Sequence, residues 1–160
     1  FGLLFLLVMI ESLIRGHDLP TDSKTTKLIC KIIAEYSPEA SNFYDLGCGR
    51  GALAIRIKRA FPNLCVYGVD TSSIRIILAT LRALLLRVDV RFLRKDIFDV
   101  NLGNADIVYT YLWYDTMPPL EKKLQKELKK GALVIANTSY FPNWEPIRKI
   151  GTLFVFTPLP

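Results

Sequence analysis

With a single histidine, His17, and only three cysteines, Cys30, Cys48 and Cys65, the chain has almost nothing from which to build a zinc or other soft-metal site. The cysteines follow no CxxC spacing and are odd in number. A disulfide framework is therefore excluded, and a reducing, cytoplasmic setting is expected. Internal repeats and low-complexity linkers are missing, which leaves no solenoid reading and no beaded string of domains. Charged residues make up 22% and hydrophobic ones 51%, so extensive disorder is ruled out for a chain of 160 residues, enough for one domain with a real core. Acid is in short supply: 15 Asp+Glu face 21 Lys+Arg, for a net charge of +6. That balance admits an anionic partner such as nucleic acid or an acidic membrane face, and equally a solvated basic surface.

The longest apolar run covers residues 1–10, half the roughly 20 residues a bilayer span needs. The chain starts at Phe1 rather than Met, so the run reads as the tail of a longer span, with Arg15 and His17 at a cytoplasmic boundary. A buried helix is the competing reading. A signal peptide is poorly supported, because no basic segment precedes the run and no small-residue cleavage site follows it. The expected organisation is an apolar segment over residues 1–15, forming the end of a membrane anchor that faces the cytoplasm, and one folded domain over 16–160.

Within that domain strand and helix signals alternate. A helix capped by Thr21 or Ser23 runs to about Tyr36 and is stopped by Ser37-Pro38. Strands are expected over 42–46, 65–69, 88–93, 106–112 and 132–136, and helices over 52–61, 73–87 and 118–129. Two short β runs, 147–150 and 153–156, close the chain around a Gly151-Thr152 turn. Alternation of this kind predicts an α/β fold: a doubly wound, mostly parallel, Rossmann-like sheet with a C-terminal β-hairpin.

The most informative stretch is Asp45-Leu46-Gly47-Cys48-Gly49-Arg50-Gly51, which leaves a strand and opens a helix. Glycines there let the backbone turn sharply and approach a ligand closely. Gly47-x-Gly49-x-x-Ala52 formally fits a dinucleotide fingerprint. Asp45 separates the readings, because a carboxylate two residues ahead of the loop repels a pyrophosphate but suits the ammonium and sulfonium of S-adenosylmethionine. Asp70, followed by Thr71, ends the second strand, where a carboxylate can accept both ribose hydroxyls. Asp96, just past the third strand and followed by Ile97, is placed to accept an adenine amino group while an apolar side chain covers the ring. Asp99 competes for that role, and a helix N-cap is the alternative role for Asp96. Three acids at three successive strand ends should line one crevice.

The pattern Asp45-x-Gly47-x-Gly49-x-Gly51, with Asp70 and Asp96, resembles the class I S-adenosylmethionine-dependent methyltransferases from about Thr25 onward. Leu19-Pro20-Thr21, Tyr111-Leu112, the Leu120, Leu124, Leu128 spacing ending at Gly131, and Asn143-Trp144-Glu145-Pro146 resemble a narrower set, the small protein-lysine methyltransferases. That set includes the archaeal broad-specificity enzymes and the mitochondrial enzymes that modify the ATP synthase c-subunit and the adenine nucleotide translocase, whose members carry an apolar segment ahead of the domain. The resemblance implies that Thr21 approaches the methionine end of the cofactor and that the crevice accepts a protein lysine. Arg50 departs from the family, since many relatives carry an acid there, and Tyr140-Phe141-Pro142 is only loosely similar.

Tyr111 and Trp113 after the fourth strand, and Trp144 after the fifth, are the candidate walls of the acceptor site, where aromatic faces hold an amine by cation–π contact. Ordinary packing is the alternative for each. A nucleic-acid methyltransferase is a rival reading, carried by Arg75, Arg82, Arg87, Arg91, Arg94 and Lys95. Against it, Leu112-Trp113-Tyr114-Asp115 stands where base N-methylases carry an Asn- or Asp-Pro-Pro-aromatic loop. A small-molecule methyltransferase and a catalytically dead interaction module are the remaining alternatives. No metal is expected.

Overall fold

The structure is a computed structural model and describes residues 21–158. The expected membrane anchor at residues 1–15 lies outside the described residues. Among those described, no helix is long and apolar enough to cross a membrane.

Seven strands form one sheet in the order β3-β2-β1-β4-β5-β7-β6. They are β1 (Asn42–Leu46), β2 (Cys65–Asp70), β3 (Arg91–Arg94), β4 (Ile107–Thr110), β5 (Leu133–Asn137), β6 (Arg148–Ile150) and β7 (Leu153–Phe156). The first five are parallel, and β7 runs antiparallel between β5 and β6. The expected doubly wound sheet with its terminal hairpin is thus present. Its antiparallel strand lies inside the sheet rather than at the edge, because β6 crosses to the rim before β7 returns.

The helices are α1 (Ser23–Tyr36), α2 (Ala52–Ala60), α3 (Ser73–Leu85) and α4 (Met117–Glu127). On one face, Ile29, Ile32 and Ile33 of α1 and Leu53 and Ile57 of α2 pack with Phe43, Ile107 and Ile135. On the other, Leu120 and Leu124 of α4 meet Leu46, Val108 and Val134. Both faces of β4 and β5 are buried, which is why their sequences are continuous apolar runs instead of alternating ones. No helix links β5 to β6. Phe141 and Trp144 fill that space, their rings 5.4 Å apart and each against Phe156.

Two local readings need correction. The cap of α1 is Asp22, not Thr21 or Ser23: its Oδ1 accepts the Thr25 N–H at 2.7 Å, leaving the Thr21 side chain free to turn inward. Strand β3 starts at Arg91 rather than residue 88. Arg87 adopts φ 53°, its N–H donates to the Leu84 carbonyl, and the Val88 N–H donates to the Ala83 carbonyl. This paired closure of a helix end commits the backbone of residue 88 to α3. A glycine normally takes the left-handed position, so the arginine there gave the sequence no stop signal.

Candidate functional site

Strand order reverses at β1, which pairs with β2 on one side and β4 on the other. The crevice above such a switch point is where open α/β sheets hold ligands. A cavity of about 750 Å³ opens there, within the range of small-molecule sites. A smaller recess of about 220 Å³ between the end of α1 and the entry to β2 has no ionisable side chain in its lining.

The glycine loop forms the cavity floor. Gly47, Gly49 and Gly51 all have positive φ, of 80°, 53° and 72°. Gly47 and Cys48 both donate N–H groups to the Val69 carbonyl, which folds the loop back over β2. Space excludes side chains as firmly as the dihedrals do. A Cβ on Gly47 would stand 2.6 Å from Leu112 Cδ2, and one on Gly51 would stand 2.5 Å from Phe92 Cζ.

Asp45 lines this cavity and is almost fully buried. Burial pushes its carboxyl up to about 7; the Ala54 N–H pulls it down and the nearby Asp70 carboxylate adds to the rise. No ion pair to Asp45 forms among the described residues, so a buried acid held by the Ala54 N–H stands beside a ligand-sized space. Asp70 is also buried. Its Oδ2 accepts the Gly49 N–H at 3.0 Å, its Oδ1 accepts the Ser72 N–H at 2.9 Å, and Arg75 Nη1 lies 3.8 Å away.

A hydrogen-bond chain continues the wall beside Asp45, whose register partner on β4 is Tyr109. Thr21 Oγ1 meets the Tyr109 hydroxyl at 2.8 Å, Asn137 Nδ2 donates to that hydroxyl at 3.1 Å, and Thr152 Oγ1 donates to Asn137 Oδ1 at 2.8 Å. Burial raises the Tyr109 phenol well above its ordinary value, with the Thr21 and Asn137 bonds opposing, so it stays neutral. Arg56 Nη1 donates to the Thr21 carbonyl at 2.7 Å and pins the same segment.

Of the residues expected to bind the cofactor, Thr21, Asp45, Gly47 and Cys48 line the cavity. Gly49 and Gly51 complete the loop, with Asp70 tied beneath it. Thr71 is exposed just past β2. Asp96 is exposed past β3, and its Oδ1 accepts the Phe98 N–H at 3.0 Å, so it does cap a helical turn, the 3-10 turn Ile97–Asp99. Ile97 packs into the core beneath it. Asp70, Thr71, Asp96 and Ile97 stand outside the cavity lining. Tyr111 and Trp113 line it, Trp113 with 80% of its surface exposed. Trp144 does not. It is buried against Phe141 and Phe156, and its Nε1 donates to the Thr157 carbonyl, so the expectation that it closes the acceptor site is corrected.

Arg56, Tyr109 and Asn137 were not singled out from sequence. The one available signal was a tyrosine inside a largely apolar strand, whose hydroxyl must find a partner. Among the described residues no group of His, Cys, Asp and Glu can hold a metal ion.

Residues 45–148 match the model of the ANTKMT methyltransferase domain. A protein-lysine N-methyltransferase of Saccharolobus islandicus is 29% identical over 129 residues, covering 79% of each chain. A ribosomal protein L11 methyltransferase of Clostridium botulinum is 30% identical over 115 residues, 71% of this chain but only 36% of the relative. An RNA methyltransferase from Salinibacter ruber, solved with S-adenosyl-L-homocysteine, superposes with a TM-score of 0.81 at 24% identity over 89% of this chain and 97% of that one, a likeness of fold. With its glycine loop, buried acid and switch-point cavity, the chain belongs to the ANTKMT methyltransferase domain family and is a class I, S-adenosylmethionine-dependent methyltransferase.

Proposed function

We propose that the chain methylates the side-chain amine of a lysine in a protein substrate. The observation that carries this reading is the aromatic lip of the cavity, where exposed Trp113 and Tyr111 both belong to the lining. Such a mouth admits a side chain presented by a large partner, and its ring faces attract a cation. The Saccharolobus islandicus relative, a protein-lysine N-methyltransferase, supports the same acceptor.

In this reading Asp45 takes the methionine ammonium, and the glycine loop lets the backbone approach the cofactor closely. Asp70 accepts the ribose hydroxyls with the lone pairs left over from Gly49 and Ser72. Asp96 keeps its second oxygen for the adenine amino group, with Ile97 below the ring. Thr21, held by Tyr109, walls the methionine end, and Arg56 offers a cation to the methionine carboxylate. The bound cofactor supplies an electrophilic methyl group on a sulfonium, so no acid is needed for the leaving group. What the protein contributes is alignment, and effective molarities of about 10⁵ M or more make alignment sufficient for most of the rate.

A lysine amine, with an ordinary pKa of about 10.4, must lose its proton before attack. A positive sulfonium beside the amine favours its neutral form, and the proton leaves to water. Tyr109 is held protonated and serves as wall, not base.

Arg50, Arg75 and Arg82 also line the cavity and favour a second reading, a nucleic-acid acceptor. Incubation with methyl-labelled cofactor and cell extract separates the two. Label that survives nuclease and is lost to protease is expected, with label in methylated lysine after hydrolysis. Label lost to nuclease would overturn the proposal.

A further inference from the structure

Helix α3 turns an apolar face to water. Ile74, Ile77, Leu81, Leu84 and Leu85 are each at least half exposed, Leu85 to 82%. Its buried residues are Ala79 and Ala83. At about 100° per residue, the five large side chains fall within an arc of roughly 100°, opposite the two alanines. The helix is therefore amphipathic with two apolar sides, a narrow one for the sheet and a wide one that the fold leaves uncovered. Contiguous apolar patches of this kind are unusual on a monomer and mark contact surfaces.

Positive charge frames the patch. Arg75 and Arg82 lie along the flank that borders the cofactor cavity, and both line it. Arg87 is exposed at the C-terminal end of the helix, and the adjacent edge strand β3 with the residue after it exposes Arg91, Arg94 and Lys95. Across residues 73–99 these six cations face three acids, Asp89, Asp96 and Asp99.

We propose that this surface docks on an anionic lipid bilayer, with the Ile/Leu stripe of α3 entering the interface and the surrounding arginines meeting lipid phosphates. Charge selects this occupant. A second copy seated on the same stripe would bring its own Arg75, Arg82 and Arg87 against the first set, and like charges there oppose association. An apolar groove of another protein would use the leucines but not the excess of positive charge around them. A cationic helix of thirteen residues is far too short to span and has the apolar face and basic flank of a segment lying in the membrane plane. Docked this way, the protein holds its cavity at headgroup level. The inference rests on α3 and β3 alone and stands whatever the acceptor.

The test is flotation of the full chain with vesicles of phosphatidylcholine, with and without phosphatidylglycerol. The wild-type chain is expected to bind the anionic vesicles at least about tenfold more tightly than the neutral ones. The variant Leu81→Ser/Leu84→Ser/Leu85→Ser should lose about tenfold or more of that binding while its affinity for S-adenosylmethionine, measured by calorimetry, is unchanged. Arg87→Glu/Arg94→Glu, at two exposed positions, should abolish the preference for anionic lipid. Equal binding of the serine variant and the wild type would overturn the proposal. So would loss of self-association, seen by light scattering, in place of lost lipid binding.

Discussion

The hydroxyl of Thr21 lies 2.8 Å from that of Tyr109, a buried contact across 88 positions of sequence. It fastens the segment ahead of α1 over the end of β4 and so completes a wall of the cavity. Tyr109→Phe removes this bond and the one from Asn137 Nδ2. Each is worth about 1 kcal/mol net, so a loss of roughly 1–2 kcal/mol is expected in thermal or denaturant unfolding. Calorimetry should show weaker cofactor binding, by several-fold. Unchanged affinity in a destabilised protein would make the contact structural only.

Asp45 is the acid that the fold tolerates at a cost. Its folded value of about 7 exceeds the ordinary 3.8, so the ligand-free folded state binds the proton more tightly than the unfolded chain does. The stability this gives is complete below the unfolded value and is lost as pH rises through about 7. One pKa unit is about 1.4 kcal/mol, which sets a ceiling of roughly 4 kcal/mol on the loss. Asp45→Asn removes the buried charge and keeps the shape. At pH 8 the ligand-free variant should melt above the wild type, with the difference vanishing near pH 4. Its cofactor affinity should fall by roughly 30- to 100-fold, the worth of a charged hydrogen bond at about 2–3 kcal/mol.

The same group makes cofactor binding depend on pH. An ammonium ligand requires the ionised carboxylate, so below about 7 binding must first expel a proton. Affinity for S-adenosylmethionine should decline as pH drops from 8 to 6, approaching about tenfold per unit at the acid end. Calorimetry in buffers of different ionisation enthalpy should record proton release near pH 6.5. The dependence should disappear in Asp45→Asn.

How much of this was readable beforehand follows from what each residue's job depends on. The glycine loop was legible because Gly47, Gly49 and Gly51 meet local demands, a positive φ and at Gly47 and Gly51 a missing Cβ, that leave marks in the sequence, whereas of the three acids expected in one crevice only Asp45 lines the cavity. The sheet was legible because β4 and β5 are buried on both sides and spell nearly continuous apolar runs. Asn137 and Arg56 were not, since their partners Tyr109 and Thr21 are distant in sequence and no periodicity encodes them. The start of β3 was misplaced because Arg87 takes the left-handed position where a glycine is normally needed, closing the helix end through the Leu84 and Ala83 carbonyls. Trp144 was misassigned for a related reason. From sequence, a tryptophan that fills the place of a missing helix looks the same as one that lines a site.

Gly51 and Phe92 should prove coupled. The Phe92 ring occupies the place of a Gly51 Cβ and also crowds Gly68, where a Cβ would lie 2.6 Å from Phe92 Cδ1. Gly51→Ala meets both the positive φ, costing about 1 kcal/mol, and an overpacked contact, costing about 1–3 kcal/mol. Cofactor affinity should fall with stability as the loop shifts. In the Phe92→Leu background the steric part is relieved, so the Gly51→Ala penalty should shrink by about 1 kcal/mol or more in a double-mutant cycle. Additive effects would show that the ring does not shape the loop.

The two tryptophans should separate folding from acceptor binding. Trp144 is 4% exposed and packed between Phe141 and Phe156, so Trp144→Ala leaves a cavity and should cost about 3–5 kcal/mol of stability. Trp113 is 80% exposed, and Trp113→Ala should leave the unfolding midpoint within about 0.5 kcal/mol of wild type and cofactor affinity unchanged. If Trp113 receives a lysine, the same variant should raise KM for the protein substrate, with the loss of about 0.5–2 kcal/mol expected of a cation–π contact. Trp113→Phe should recover part of it, because a smaller ring keeps a weaker negative face. A tryptophan that only shields the cofactor from water predicts another pattern: higher turnover of cofactor without acceptor, and an unaltered KM.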